Sequence, residues 1–198
     1  MRVGVGVVAV LLLVGGCSGG GDDPDKPAAA TVSEPAAVVV KGTFTAASAA
    51  PPGTTAFLYD PSAVKGPASA VLTLREDAGH TKVALAVDGF MPNRSFGAHL
   101  HAKPCGPAPD DAGGHFQHQP DPAPSPSGDP QYANPNNEIW LDFTTNDQGH
   151  GQATAEQDWE LTPGHRPASL VVHATATMTS PGVAGTAGPR VACMTITY

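Results

Sequence analysis

From residue 81 to 88 the chain reads TKVALAVD, so that Val83, Leu85 and Val87 share one face and Lys82, Ala84 and Ala86 the other. That is the period of two required by a strand with one buried face. Eight further segments, 38–46, 55–60, 69–75, 95–101, 138–144, 152–159, 168–174 and 190–197, alternate or run apolar between turn residues. No stretch carries a capped apolar period of 3.6. The pattern predicts an all-β fold, an antiparallel sandwich or Greek-key barrel of about eight strands.

Composition agrees with short strands. Gly (23) and Pro (21) make up over a fifth of the 198 residues and only 14% are charged, which favours strands joined by turns over long helices. Two connections exceed what a minimal barrel needs: Ala102 to Asn137, with six prolines between Pro120 and Pro135, and Ala174 to Pro189. Loops of this length inside a compact domain are usually functional or disordered, and the most informative histidines lie in or beside them.

The N-terminus carries one cation, Arg2, then an apolar run from Val3 to Val14, then Gly15-Gly16-Cys17. Such a run is short of the ~20 residues that cross a bilayer; residues 1–16 read as a secretory signal. A Cys after Val-Gly-Gly resembles a bacterial lipobox, which would make Cys17 the lipidated first residue. An ordinary cleaved signal with an incidental Cys is the alternative. Residues 17–37 have almost nothing to bury and are expected to form a disordered tether, leaving 38–198 as the folded domain. The expected location is the outer face of the cytoplasmic membrane or the periplasm and cell envelope, with membrane contact through the lipid anchor only.

A formal charge of -8 argues against nucleic acid as a partner. With Cys17 set aside, Cys105 and Cys193 remain in an exported protein, and a disulfide between them is the default. Closing that loop stabilises the fold by about 4 to 5 kcal/mol in the chain-entropy model. Two free thiols acting as soft metal ligands are the other option.

Among eight histidines, His99 and His101 stand two apart on an expected strand, so both imidazoles leave the same face and can chelate one ion. The pair is followed by Cys105, then Gly113-Gly114-His115-Phe116, then Val171-Val172-His173, then Arg190-Val191-Ala192-Cys193. In this ordered series, over residues 37–198, the sequence resembles the copper/zinc superoxide dismutase family. The resemblance implies a dismutase-type Greek-key β-barrel that takes copper as cofactor and superoxide as substrate. It implies that His99, His101 and His173 are copper ligands, and that His115 is the ligand bridging copper and zinc and a carrier of protons. It implies the Cys105–Cys193 disulfide, and it places Arg190 beside the copper. Imidazoles suit an ion that cycles between copper's two oxidation states, and a guanidinium offers an anion a permanent charge and a fork of donors.

The resemblance is incomplete at zinc. After His115 the first long loop offers His118, with Asp121 and Asp129 as carboxylates, so His115, His118 and Asp129 are the best zinc set and a tetrahedral four-ligand site is hard to assemble. Residues 174–189 carry no charged side chain, where the family usually has guiding charges and an Asp that braces the copper and zinc ligands. In both respects the sequence is similar to the copper-only branch. Asp121, Asp129 or Glu138 would then hold the far nitrogen of His115. The expected activity is copper-dependent disproportionation of superoxide to dioxygen and hydrogen peroxide. Its rival is a non-enzymatic copper-binding or copper-buffering lipoprotein on the same fold. His80, His150 and His165 are expected to be exposed bystanders, and Trp140 and Trp159 to be packing residues.

Overall fold

The computed structural model describes residues 36–123 and 128–198. The expected signal, Cys17 and all but two residues of the expected tether lie outside them. The described chain forms ten strands: β1 (Val38–Thr43), β2 (Thr45–Ala46), β3 (Ala56–Leu58), β4 (Val64–Asp77), β5 (His80–Phe90), β6 (Ser95–His101), β7 (Phe143–Thr144), β8 (Gly151–Gln157), β9 (Ser169–His173) and β10 (Arg190–Thr195). One sheet has the order β1-β4-β5-β8 and the other β2-β3-β10-β9-β6-β7. The fold is the expected all-β sandwich.

The longest pairing is the β4–β5 hairpin, from Ser69↔Asp88 to Asp77↔His80. Its two-residue turn places Ala78 and Gly79 at positive φ (49° and 92°), the conformation that matches the twist of the flanking strands. Along β5 the burial alternates as the sequence predicts, with Val83, Leu85 and Val87 inward. These meet a core in which Phe90 packs edge-on against Phe44, Phe96 and Phe143 at ring separations of 5.3 to 6.0 Å.

Two expected strands come out differently. Segment 38–46 breaks at the buried Phe44, and Thr45–Ala46 pairs in parallel with β3 in the other sheet. Segment 138–144 is regular strand only at Phe143–Thr144, although Trp140 bridges to His99 and the Ile139 and Leu141 backbones bond to β6. The departures split one expected strand and shorten another without changing the fold class.

β6 positions the site. Phe96, Ala98 and Leu100 enter the core, so Gly97, His99 and His101 face the other way, towards the two long loops. β9 pairs with β6 in the register Gly97↔His173 and His99↔Val171, and β10 pairs with β9 so that Arg190 stands opposite His173. Beside them, Cys105–Cys193 fastens the start of the first long loop to β10, over a small apolar cluster with Ala112 and Val171.

Candidate metal centre

Four histidines converge. One ring nitrogen from each of His99, His101, His115 and His173 lies within 4.8 Å of all the others. His99 and His101 come from β6 and His173 from β9, while His115 is brought in by a backbone bridge to His101. His99, His101 and His173 are buried and His115 is half-buried.

The outward nitrogens decide which nitrogen of each ring faces inward. His101 Nδ1 donates to the Gly113 carbonyl at 3.0 Å and His173 Nδ1 to the Gly188 carbonyl at 3.2 Å. His115 Nδ1 donates to Glu138 Oε2 at 2.7 Å. His99 is held through a relay: Thr177 Oγ1 donates to Asp142 Oδ1 at 2.7 Å, so it must accept from His99 Nε2, also at 2.7 Å. Each ring thus keeps its proton on the outside. What remains inside are four lone pairs: Nδ1 of His99 and Nε2 of the other three.

Two observations show that this interior fits a cation. His99 Nδ1 is buried with no hydrogen-bond partner, and the Nε2 atoms of His101 and His173 face each other at 3.4 Å. Unpartnered acceptors in a buried place are costly unless something positive satisfies them. Burial also keeps the His99, His101 and His173 rings neutral. It pushes His99 and His101 well below the usual imidazole value, and it lowers His173 to about 4 against the opposing bond to Gly188. Four imidazole nitrogens are a donor set that suits copper and other borderline transition ions.

Glu138 is the carboxylate that takes the far nitrogen of His115. It is 2% exposed and accepts from three donors: His115 Nδ1, Trp140 Nε1 at 2.7 Å and Gln117 Nε2 at 2.8 Å. Asp121 instead accepts from the Ala123 amide, and Asp129 from the Gln131 amide.

The expected zinc set is not assembled. His115, Phe116, Gln117 and His118 run extended, so an odd spacing puts His118 on the face opposite His115. There it stacks on Trp159, rings 4.6 Å apart, next to Phe116. Asp129 sits in its own turn. Among the described residues, neither joins His115 in a group that could hold a metal. His80, His150 and His165 also stand apart; His150 pairs at the surface with Asp88.

The brace thought to be missing from 174–189 is present in another form. Thr177 belongs to that loop and supplies a hydroxyl, while its carboxylate partner, Asp142, comes from segment 138–144. No signal in the sequence marks this pair.

The histidine cluster opens on a cavity of about 650 Å³ whose lining includes His115, His173 and Glu138 together with Arg190, Asp110 and Asp121. Arg190 donates Nη1 to the Pro109 carbonyl at 2.7 Å and Nη2 to the Gly113 carbonyl at 2.6 Å. The same Gly113 carbonyl takes His101, so the guanidinium is fixed relative to the ligand set.

The copper/zinc superoxide dismutase (SODC) family model matches residues 68–196, which include all four histidines, both cysteines and Arg190. The chain belongs to the copper/zinc superoxide dismutase family. Similar solved structures show the fold of this dismutase family at low identity. The Cu/Zn superoxide dismutase from Brucella abortus is 18% identical with a TM-score of 0.50, over 80% of this chain and 100% of that one. A superoxide dismutase-like protein from Bacillus subtilis, solved as a double mutant, is 15% identical with a TM-score of 0.50, over 67% and 91%. The clock protein EA4 is 18% identical with a TM-score of 0.51, over 81% and 92%. No curated protein sequence matches the chain.

Proposed function

We propose that this protein is a copper-dependent superoxide dismutase of the cell envelope, tethered by a lipid on Cys17. The observation that carries the reading is the set of four inward imidazole nitrogens, each fixed by a protein acceptor on its outer side.

His99 Nδ1 and the Nε2 atoms of His101, His115 and His173 would hold the ion. Bound copper supplies a one-electron couple, through which one superoxide is oxidised to dioxygen and a second, with two protons, is reduced to hydrogen peroxide. The chain's own residues do the rest. Arg190 offers the incoming anion a permanent charge, and its two carbonyl bonds leave three of its five N–H groups free of those partners. His115 faces the cavity, and its Nε2 is the atom able to take a proton and pass it to the reduced product. Glu138 keeps the other proton on Nδ1 throughout, which holds the ring in one tautomer.

The test begins with metal analysis of protein purified without added metal, followed by copper loading. Loaded protein should consume superoxide faster than an equal amount of free copper, and His115→Ala or His173→Ala should abolish this. A rate no better than free copper ends the enzymatic reading. It would favour a copper-buffering lipoprotein, a reading supported by the charge-free 174–189 loop and by the carboxylate of Asp110 beside Arg190. Cys17→Ala should release the protein from the membrane fraction.

A further inference from the structure

The cavity above the histidines is far larger than the substrate it is proposed to take. A diatomic anion needs on the order of one water's share of liquid, about 30 Å³, against about 650 Å³ here. Size therefore cannot exclude larger anions such as sulfate or phosphate from Arg190. Charge can.

Among the described residues that line the cavity, Arg190 is the one Lys or Arg, and it shares that lining with Asp110, Asp121 and Glu138. Glu138 is consumed by its three donors. Asp110 is different: its side chain is fully exposed and Oδ1 lies 3.9 Å from Arg190 Nη1. Asp121 is half-buried, with Oδ1 capping the Ala123 amide. The facing wall contributes Ala184, Gly185, Thr186 and Gly188, none charged. Lys103 packs its methylenes along Gly113 but is exposed and outside the lining.

We propose that this mouth is a charge filter, in which Asp110 set against Arg190 admits small singly charged anions to the metal cavity and holds back doubly charged ones. The inference rests on the metal site of the proposed function but not on dismutase activity. Electrostatic work scales with the charge of the entering ion, so removing one rim carboxylate should help a dianion by the square of the factor by which it helps a monoanion. With ~10 Å between the carboxylate and the bound anion and a water-like dielectric, that factor is about two.

The experiment uses copper-loaded full-length protein, azide as the monoanion and sulfate as the dianion, at fixed low ionic strength. Azide affinity is read from its absorption band with Cu(II), and sulfate affinity from displacement of azide. Asp110→Asn should tighten azide about two-fold and sulfate about four-fold, with both gains shrinking in about 1 M salt, where the screening length falls to about 3 Å. Asp121→Asn, which keeps an acceptor for Ala123, should act in the same unequal ratio. Equal factors for the two anions, or no change in either, would overturn the filter while leaving the metal site standing. Absence of the azide band in copper-treated wild type would overturn the metal site and the filter together.

Discussion

Glu138→Gln tests the support of the metal site with the least change of shape. The carboxylate accepts three short bonds, two at Oε2 from His115 and Trp140 and one at Oε1 from Gln117. A glutamine can present only one oxygen. If it faces His115 and Trp140, its amide nitrogen meets the donating nitrogen of Gln117, and Gln117 is held in place because its own oxygen accepts from the Asp121 amide at 2.9 Å. At least one hydrogen bond to a charged group is lost and two donors are left facing each other. Such losses cost about 2 to 3 kcal/mol each.

The second effect falls on the metal. With a neutral partner His115 becomes a weaker base, and its preference for the Nδ1–H tautomer declines. Copper affinity should drop about ten- to a hundred-fold, as when other groups that hold metal ligands are removed. Urea denaturation of metal-free protein reads the first effect, and copper titration against a competing chelator reads the second. Glu138→Gln protein with the wild-type midpoint and a copper affinity within about two-fold of wild type would refute the assigned role of this carboxylate.

Thr177→Val keeps the shape of the side chain and removes the hydroxyl between His99 and Asp142, whose carboxylate lies 3.7 Å from His99 Nε2. Copper affinity should fall about ten-fold in the same titration; an unchanged affinity would mean the relay does not orient His99. Metal-free protein should weaken in acid. His173 protonates near its ordinary 6.5 when unfolded and only at about 4 when folded, so the unfolded state binds the extra proton and stability falls as pH drops through that window. The loss is roughly 1.4 kcal/mol per pH unit, or about 3 kcal/mol in all, and His99 and His101 act in the same direction. Urea midpoints that stay flat between about pH 7 and about pH 4.5 would contradict this. Phe90→Ala, at a fully buried ring packed on three other phenylalanines, should cost about 3 to 5 kcal/mol. A loss under about 1 kcal/mol would mean the core does not centre there.

How much of this was legible in the sequence differs from element to element. The alternation of β5 and the His99/His101 spacing translate directly, because period two fixes which side chains share a face. Segment 138–144 is the instructive case. Its alternation was read correctly in one sense: Ile139, Leu141 and Phe143 are all buried in the core. The polar positions between them look like a solvent face. Instead Glu138 and Asp142 brace histidines of the cluster, and Trp140 donates to Glu138 from beside the His99 ring. A sequence shows that a face is polar; it does not show that a loop will cover it. For the same reason Asp121, Asp129 and Glu138 could not be ranked, since the choice depends on how the proline-rich loop returns to β6. The crossing of the chain between sheets at Phe44 was also invisible, because a residue that changes sheets is as apolar as one that does not.

The supports of the four histidines come from separate parts of the chain: Gly113 from the first long loop, Glu138 from its end, Thr177 and Gly188 from the second. The first loop is itself held by side-chain amides. Asn137 donates to the Gln119 and Tyr132 carbonyls and accepts from the Gln119 amide, and Gln157 reaches from β8 to the Pro135 and Glu138 carbonyls. These bonds need no ion. A site braced in this way has its ligand nitrogens aimed before metal arrives, so metal binding gives up little conformational entropy to order the loops. The cost appears elsewhere, as four unprotonated nitrogens crowded into a buried space. Unfavourable without a cation, that crowding is relieved when one binds, and the same arrangement that strains the metal-free protein favours its loaded form.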